Sequence, residues 1–90
     1  MQLEFTPEER AFRDEVRTFI AEHYPADVRA KQDRGLELGK EDYLSWHRIV
    51  AKQGWSVPAW PVEYGGTGWS ATQRHIWAEE LQRADTAPII

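Results

Sequence analysis

The segment Gly54–Ser70, GWSVPAWPVEYGGTGWS, constrains this chain more than any other. It holds three of the five tryptophans, two of the five prolines and four of the six glycines. Pro58 and Pro61 cannot donate to a sheet ladder, so WSVPAW, the nearest approach to a strand pattern, is demoted as a strand. Gly65, Gly66 and Gly68 permit backbone conformations closed to other residues. Neither a helix nor a strand runs through such a stretch. The chain must be organised around a long corner, with regular structure on either side.

That flanking structure reads as helix. In Phe5-Thr6-Pro7-Glu8-Glu9, Thr6 caps the first amides, Pro7 suits the first helical position and Glu9 completes a capping box. Phe12, Val16, Phe19 and Ile20 then share one face, with Glu8, Arg10, Arg13, Asp14 and Arg17 on the remainder. Pro25 disfavours the α conformation of the residue before it, so the helix is predicted over about residues 7–23. ADVRAKQDRG has the length for one or two further turns, stopped by Gly35. A third helix starts after Gly39, where Glu41 and Asp42 suit the positive end of the helix dipole. Its buried stripe is Tyr43, Trp46, Ile49 and Val50, and Gly54 falls where a left-handed C-terminal cap belongs. Beyond the corner, Ser70-Ala71-Thr72-Gln73 is a second capping box. Ile76, Trp77, Leu81 and Ala84 give that helix its apolar face, to about Ala84. The expected fold is all-α, one domain over residues 1–90, with three main helices, a possible short one and the Trp/Pro/Gly-rich corner.

Composition narrows the function classes. Ninety residues make one domain at most, and a short chain buries a smaller fraction of its surface than a long one. With no cysteine there is no disulfide framework and no thiolate metal site. Net charge is −4, with no Lys/Arg cluster, which argues against nucleic acid as a partner. The opening MQLEFTPEER is acidic where a signal peptide is basic. No stretch approaches the roughly 20 apolar residues of a membrane span, so the expected location is cytoplasmic. The close, ADTAPII, can be a natural terminus, but also fits a chain cut partway through a domain.

The corner itself admits three readings. Gly66-Thr67-Gly68-Trp69-Ser70-Ala71 formally matches the dinucleotide-binding glycine pattern, and Asp85 follows near where a ribose-binding acid would fall. That mechanism needs a buried strand before the turn and a parallel strand after the helix, and Pro58 and Pro61 occupy the place of the first. A Walker loop needs a Lys after the glycines, and there is none. A peptide-binding aromatic surface is the second reading, although such modules are small β-sheets. The third is a structural corner, in which the prolines lower the entropy lost on ordering and the aromatics offer large apolar areas to a neighbour. Three helices of this size leave little room to bury that area, so much of it is expected to face another domain or subunit.

Gly54-Trp55, Pro58, Trp60-Pro61-Val62-Glu63-Tyr64-Gly65-Gly66-Thr67-Gly68-Trp69 and, in the following helix, Glu79-Glu80-Leu81 resemble the N-terminal helical domain of the acyl-CoA dehydrogenase family. The similarity is to the bacterial branch, runs from about Leu3 to Ile90 and includes the opening helix FTPEERAFRDEVRTFI. It implies tightly bound FAD, an acyl-CoA substrate and oxidation to the trans-2-enoyl thioester. In the family a carboxylate base takes the α-proton while a hydride leaves the β-carbon for the flavin. It further implies an electron-transfer flavoprotein as acceptor and a homo-oligomer at full length. The family holds its flavin mainly through a central β-domain and a C-terminal helical bundle, and the catalytic Glu comes from that bundle. Nothing in residues 1–90 corresponds to the catalytic base or to the main flavin contacts. The residues expected to meet the remaining domains or a second chain are Trp55, Trp60, Tyr64 and Trp69. The chain is then the N-terminal part of such an enzyme, not catalytic alone. A free-standing helical interaction module using loop 54–70 is the alternative.

Other polar residues carry weaker signals. Glu79 and Glu80 are adjacent, and adjacent helix residues do not face each other, so they make a poor acid/base pair. Surface charge or an ion pair is expected, with Arg83 four residues beyond Glu79 as one partner and an absent domain as another. His75 and Glu79 share a face but lack the further ligands a metal needs. His23 and His47 read as structural or solvated. Arg29, Lys31, Arg34 and Lys40, mixed with Asp33, Glu37 and Glu41, read as a solvated surface.

Overall fold

Three of the four helices among the described residues begin where a side chain takes the place of a missing turn of backbone. The computed structural model describes residues 5–89, so residues 1–4 of the acidic opening, and Ile90 of the apolar close, lie outside the described residues. Helix α1 spans Pro7–His23, α2 Ala26–Asp33, α3 Lys40–Gln53 and α4 Ala71–Arg83, with a short 3-10 turn at Val62–Tyr64. There is no strand among the described residues. At α1, Thr6 Oγ1 accepts from the Glu9 amide at 3.1 Å and Glu9 Oε1 accepts from the Thr6 amide at 2.9 Å. Ser70 and Gln73 repeat the same reciprocal pair at α4. Gly39 has no side chain to offer at α3, so Asp42 supplies half of the box, accepting from the Gly39 amide at 2.8 Å.

The ends of α2, α3 and α4 share one device. Gly35 and Gly54 adopt left-handed φ of 69° and 87°, and the next residue bonds back to the last turn: Leu36 to Lys31 O and Trp55 to Val50 O. At the end of α4 the left-handed position is Asp85, φ 53°, followed by Thr86 N–H to Leu81 O. Aspartate is among the few non-glycine residues enriched in this region.

α1 packs against α4, and α3 closes the other side of the core. Val16, Val28, Trp46, Val50 and Ile76 are fully buried, with Phe12, Phe19, Ile20 and Trp77 beside them. The predicted stripe of α1 is buried in full. In α3 the centre of the stripe, Trp46 and Val50, is buried, while Tyr43 and Ile49 are half-buried at its margins. In α4 Leu81 and Ala84 are likewise marginal, and the side chain buried after Trp77 is Glu80.

The segment after α4 is tied down by α2. Arg29 donates to Ala84 O at 2.6 Å and to Asp85 O at 3.2 Å, and Gln32 donates to Asp85 O at 3.1 Å. Tyr24 Oη accepts from the Ala87 amide at 2.8 Å and donates to Gln32 Oε1 at 2.9 Å. Ala87 is buried, so its amide has no water to turn to. Tyr24→Phe is therefore expected to cost about 1–3 kcal/mol, the range for stranding a buried donor. Urea denaturation followed by circular dichroism reads that loss. Burial also pushes the Tyr24 phenol above its ordinary pKa, against the Ala87 amide and the Arg29 charge.

Candidate functional site

The corner is fixed by its own backbone. Trp60 N–H bonds to Val57 O, Tyr64 and Gly66 N–H both bond to Pro61 O, and Gly65 N–H bonds to Val62 O. Thr67 Oγ1 spans the loop, donating to Pro58 O at 3.4 Å and accepting from the Trp69 amide at 3.2 Å. Gly65 has φ 98°. Gly66 is required for a different reason: a Cβ there would sit 1.6 Å from the Trp60 carbonyl oxygen. The strand a dinucleotide loop needs does not precede it among the described residues, and the tightest glycine is filled by the loop's own backbone. These residues do not fit the pyrophosphate of a dinucleotide or a flavin.

The four aromatics expected at an inter-domain contact divide into two pairs. Trp55 is buried and Trp69 half-buried within this domain. Trp55 stands 4.8 Å from Phe19 and 5.4 Å, edge to face, from both Trp69 and Trp77, and Trp69 stands 5.0 Å, edge to face, from Phe12. Such tilted ring pairs add to the burial of apolar area. The helices thus absorb more of the corner than chain length alone suggests, because the rings pack on one another between α1 and α4. Trp60 and Tyr64 remain open, 57% and 70% exposed, with Val62 between them at 68%. Three exposed apolar side chains thus stand at and beside the 3-10 turn.

The carboxylates on α4 are held by α1. Glu80 is buried; Arg13 donates to its Oε2, and Arg17 Nε donates to Oε1 at 2.7 Å. Glu79 is half-exposed and meets Arg13 at 2.7 Å and His75 Nε2 at 3.4 Å. The Arg13 hydrogen bond holds the Glu79 carboxyl below its ordinary range, and Glu80 raises Arg17 above its own. Arg83, expected beside Glu79, is in no ion pair among the described residues; Arg13 holds that carboxylate instead. No group of three metal-ligating side chains converges among the described residues. Two guanidiniums from α1 converge on one carboxylate from α4, so the cluster clamps two helices.

Sequence reasoning missed a second clamp. Asp42 is buried, and Lys31, expected to be solvated, bonds both its oxygens at 2.9 and 3.0 Å. Arg29 also leaves the solvated set, through its bonds to Ala84 and Asp85. The Gly39 amide, then Lys31, hold the Asp42 carboxyl below its ordinary pKa. A depressed folded-state pKa gives stability that is present above the unfolded value, near about 4, and is lost as pH falls through the folded value. With Asp42 and Glu79 both shifted this way, the urea midpoint is expected to fall between pH 6 and pH 3. Asp42→Asn should flatten that fall.

Comparisons with known proteins fit this geometry. A family model described as "Acyl-CoA dehydrogenase, N-terminal domain" matches residues 6–90. Acyl-CoA dehydrogenase IpdE1 of Mycolicibacterium smegmatis is 33% identical over 87% of this chain and 21% of its own length. Acyl-CoA dehydrogenase FadE26 of Mycobacterium tuberculosis is 31% identical over 99% of this chain and 22% of its own. Among solved structures, the ChsE4-ChsE5 complex from Mycobacterium tuberculosis matches at 28% identity and a TM-score of 0.76, over 99% of this chain and 22% of that one. The chain thus spans about a fifth of the length of the curated relatives it matches. No helix among the described residues is long and apolar enough to cross a membrane. With the family model matched almost end to end and the helical fold shared, the chain belongs to the acyl-CoA dehydrogenase family and forms its N-terminal helical domain.

Proposed function

We propose that this chain is the N-terminal part of an FAD-dependent acyl-CoA dehydrogenase, an enzyme that oxidises an acyl-CoA thioester to its trans-2-enoyl form. The observation that carries this reading is the family match over residues 6–90 in a chain about one fifth the length of its relatives. The share of the work done by these residues is structural. Glu79 and Glu80 are committed to Arg13 and Arg17, and the glycine corner does not fit a flavin. The catalytic base and the flavin contacts belong to the remainder of the polypeptide.

Trp60, Val62 and Tyr64 meet that remainder or a second chain. Their exposed apolar character supports this assignment. The structural neighbour is a complex of two chains, which supports a multi-chain assembly here. Acyl-CoA as substrate, an electron-transfer flavoprotein as acceptor and a cytoplasmic location follow from the same reading. The test is an assay of the isolated 90-residue chain with FAD and acyl-CoA. No flavin reduction is expected; reduction by acyl-CoA would show that these residues suffice and would overturn the division of labour.

A further inference from the structure

Away from the corner, α1, α2 and α4 leave a cleft of about 570 Å³ between them. Its walls are Ile20, Ala21 and Ala84, with Tyr24 and Ala26 at one end. The space exists because small side chains stand where large ones would close it. A volume of this order suits a small organic molecule.

The charge around the cleft is one-sided. Arg17, Arg29 and Arg83 line it against a single carboxylate, Glu80, and Glu80 is already neutralised by Arg13 and Arg17. Arg29 lies over the Tyr24 ring at 4.7 Å, with its N–H groups on the Ala84 and Asp85 carbonyls. That leaves the Arg83 guanidinium, exposed at the rim and in no ion pair among the described residues. A planar guanidinium matches a carboxylate fork to fork. In a chain of net charge −4, an arginine-lined cleft is a local reversal of sign.

We infer that the cleft between α1, α2 and α4 binds a small amphiphilic carboxylate, its apolar body against Ile20, Ala21 and Ala84 and its headgroup on Arg83. The site is separate from the aromatic corner and does not depend on the enzyme reading above.

The test uses the full chain and 4-phenylbutyrate as probe, with uncharged 4-phenylbutan-1-ol beside it, followed by NMR of the Ala21, Ala84 and Tyr24 signals. Saturable shifts at those three residues are expected with the acid and not with the alcohol. Arg83→Gln should weaken binding about fivefold or more, the scale of a lost charge-assisted hydrogen bond at a rim. Ala21→Phe, at an exposed helix position, should fill the cleft and abolish binding with circular dichroism and Tm unchanged. The inference is overturned by the absence of saturable shifts or by shifts centred elsewhere. Equal binding of the alcohol, or affinity indifferent to both substitutions, would overturn it as well.

Discussion

Glu80→Ala is expected to remove about 3 kcal/mol of stability, within the range for breaking a buried ion pair from one side. The loss is large because two guanidiniums converge on one buried carboxylate. Arg17 can turn to water, being 44% exposed, but Arg13 is only 13% exposed. It retains Glu79 and the Phe5 ring, over which it lies at 4.9 Å, but its bond to the buried carboxylate is lost. A domain of this size holds roughly 5–10 kcal/mol in all, so the variant should unfold well below the parent in urea. Glu80→Gln keeps the volume and one acceptor and should lie between the two. If Glu80→Ala unfolds at the parent's midpoint, the clamp between α1 and α4 is not what joins them.

Gly66→Ala is the second large effect, and it is set by backbone approach, not by helix propensity. The added carbon would lie 1.6 Å from the Trp60 carbonyl oxygen and 2.5 Å from its carbon. No side chain can swing aside, because the obstacle is the chain itself. The loop must open between Trp60 and Gly66, breaking the paired bonds to Pro61 O. The expected cost is about 3 kcal/mol or more, at or beyond the upper end for overpacking. A change in the tryptophan emission should accompany it, since Trp60 moves with the loop. Gly39→Ala is the internal comparison: its nearest neighbour would be Asp42 Oδ2 at 3.8 Å, and a cost under about 1 kcal/mol is expected.

The two positions differ in how far the sequence announces them. Helix ends were legible because their causes are local: Thr6 with Glu9, Ser70 with Gln73, and Gly35 and Gly54 at left-handed caps. The core of α1 was legible because its period is unbroken. Glu80 reads from sequence as surface charge or part of an ion pair with no assigned partner, since its true partners lie 63 residues away and more on α1. A signal was present all the same. Glu80 falls four residues after Ile76 and three after Trp77, in phase with the apolar stripe, as Asp42 is in phase with Trp46 and Val50. A carboxylate at a stripe position, with unassigned cations elsewhere in the chain, marks a buried pair. The division of the corner aromatics into buried Trp55 and Trp69 and open Trp60 and Tyr64 was not legible. It depends on which way a non-periodic loop turns its rings, and that is set by Phe12, Phe19 and Trp77 on other elements.

The fold supplies a hydrogen-bonded corner, two ion-paired clamps and three exposed apolar side chains at the 3-10 turn. If the chain is the N-terminal part proposed above, the chemistry of an acyl-CoA dehydrogenase belongs to a longer polypeptide. The most direct measurement is the intact mass and visible absorbance spectrum of the native protein purified from its source. The account predicts a yellow species several times heavier than 10.5 kDa. A colourless protein of 10.5 kDa would contradict it, leaving the family relationship without the enzyme.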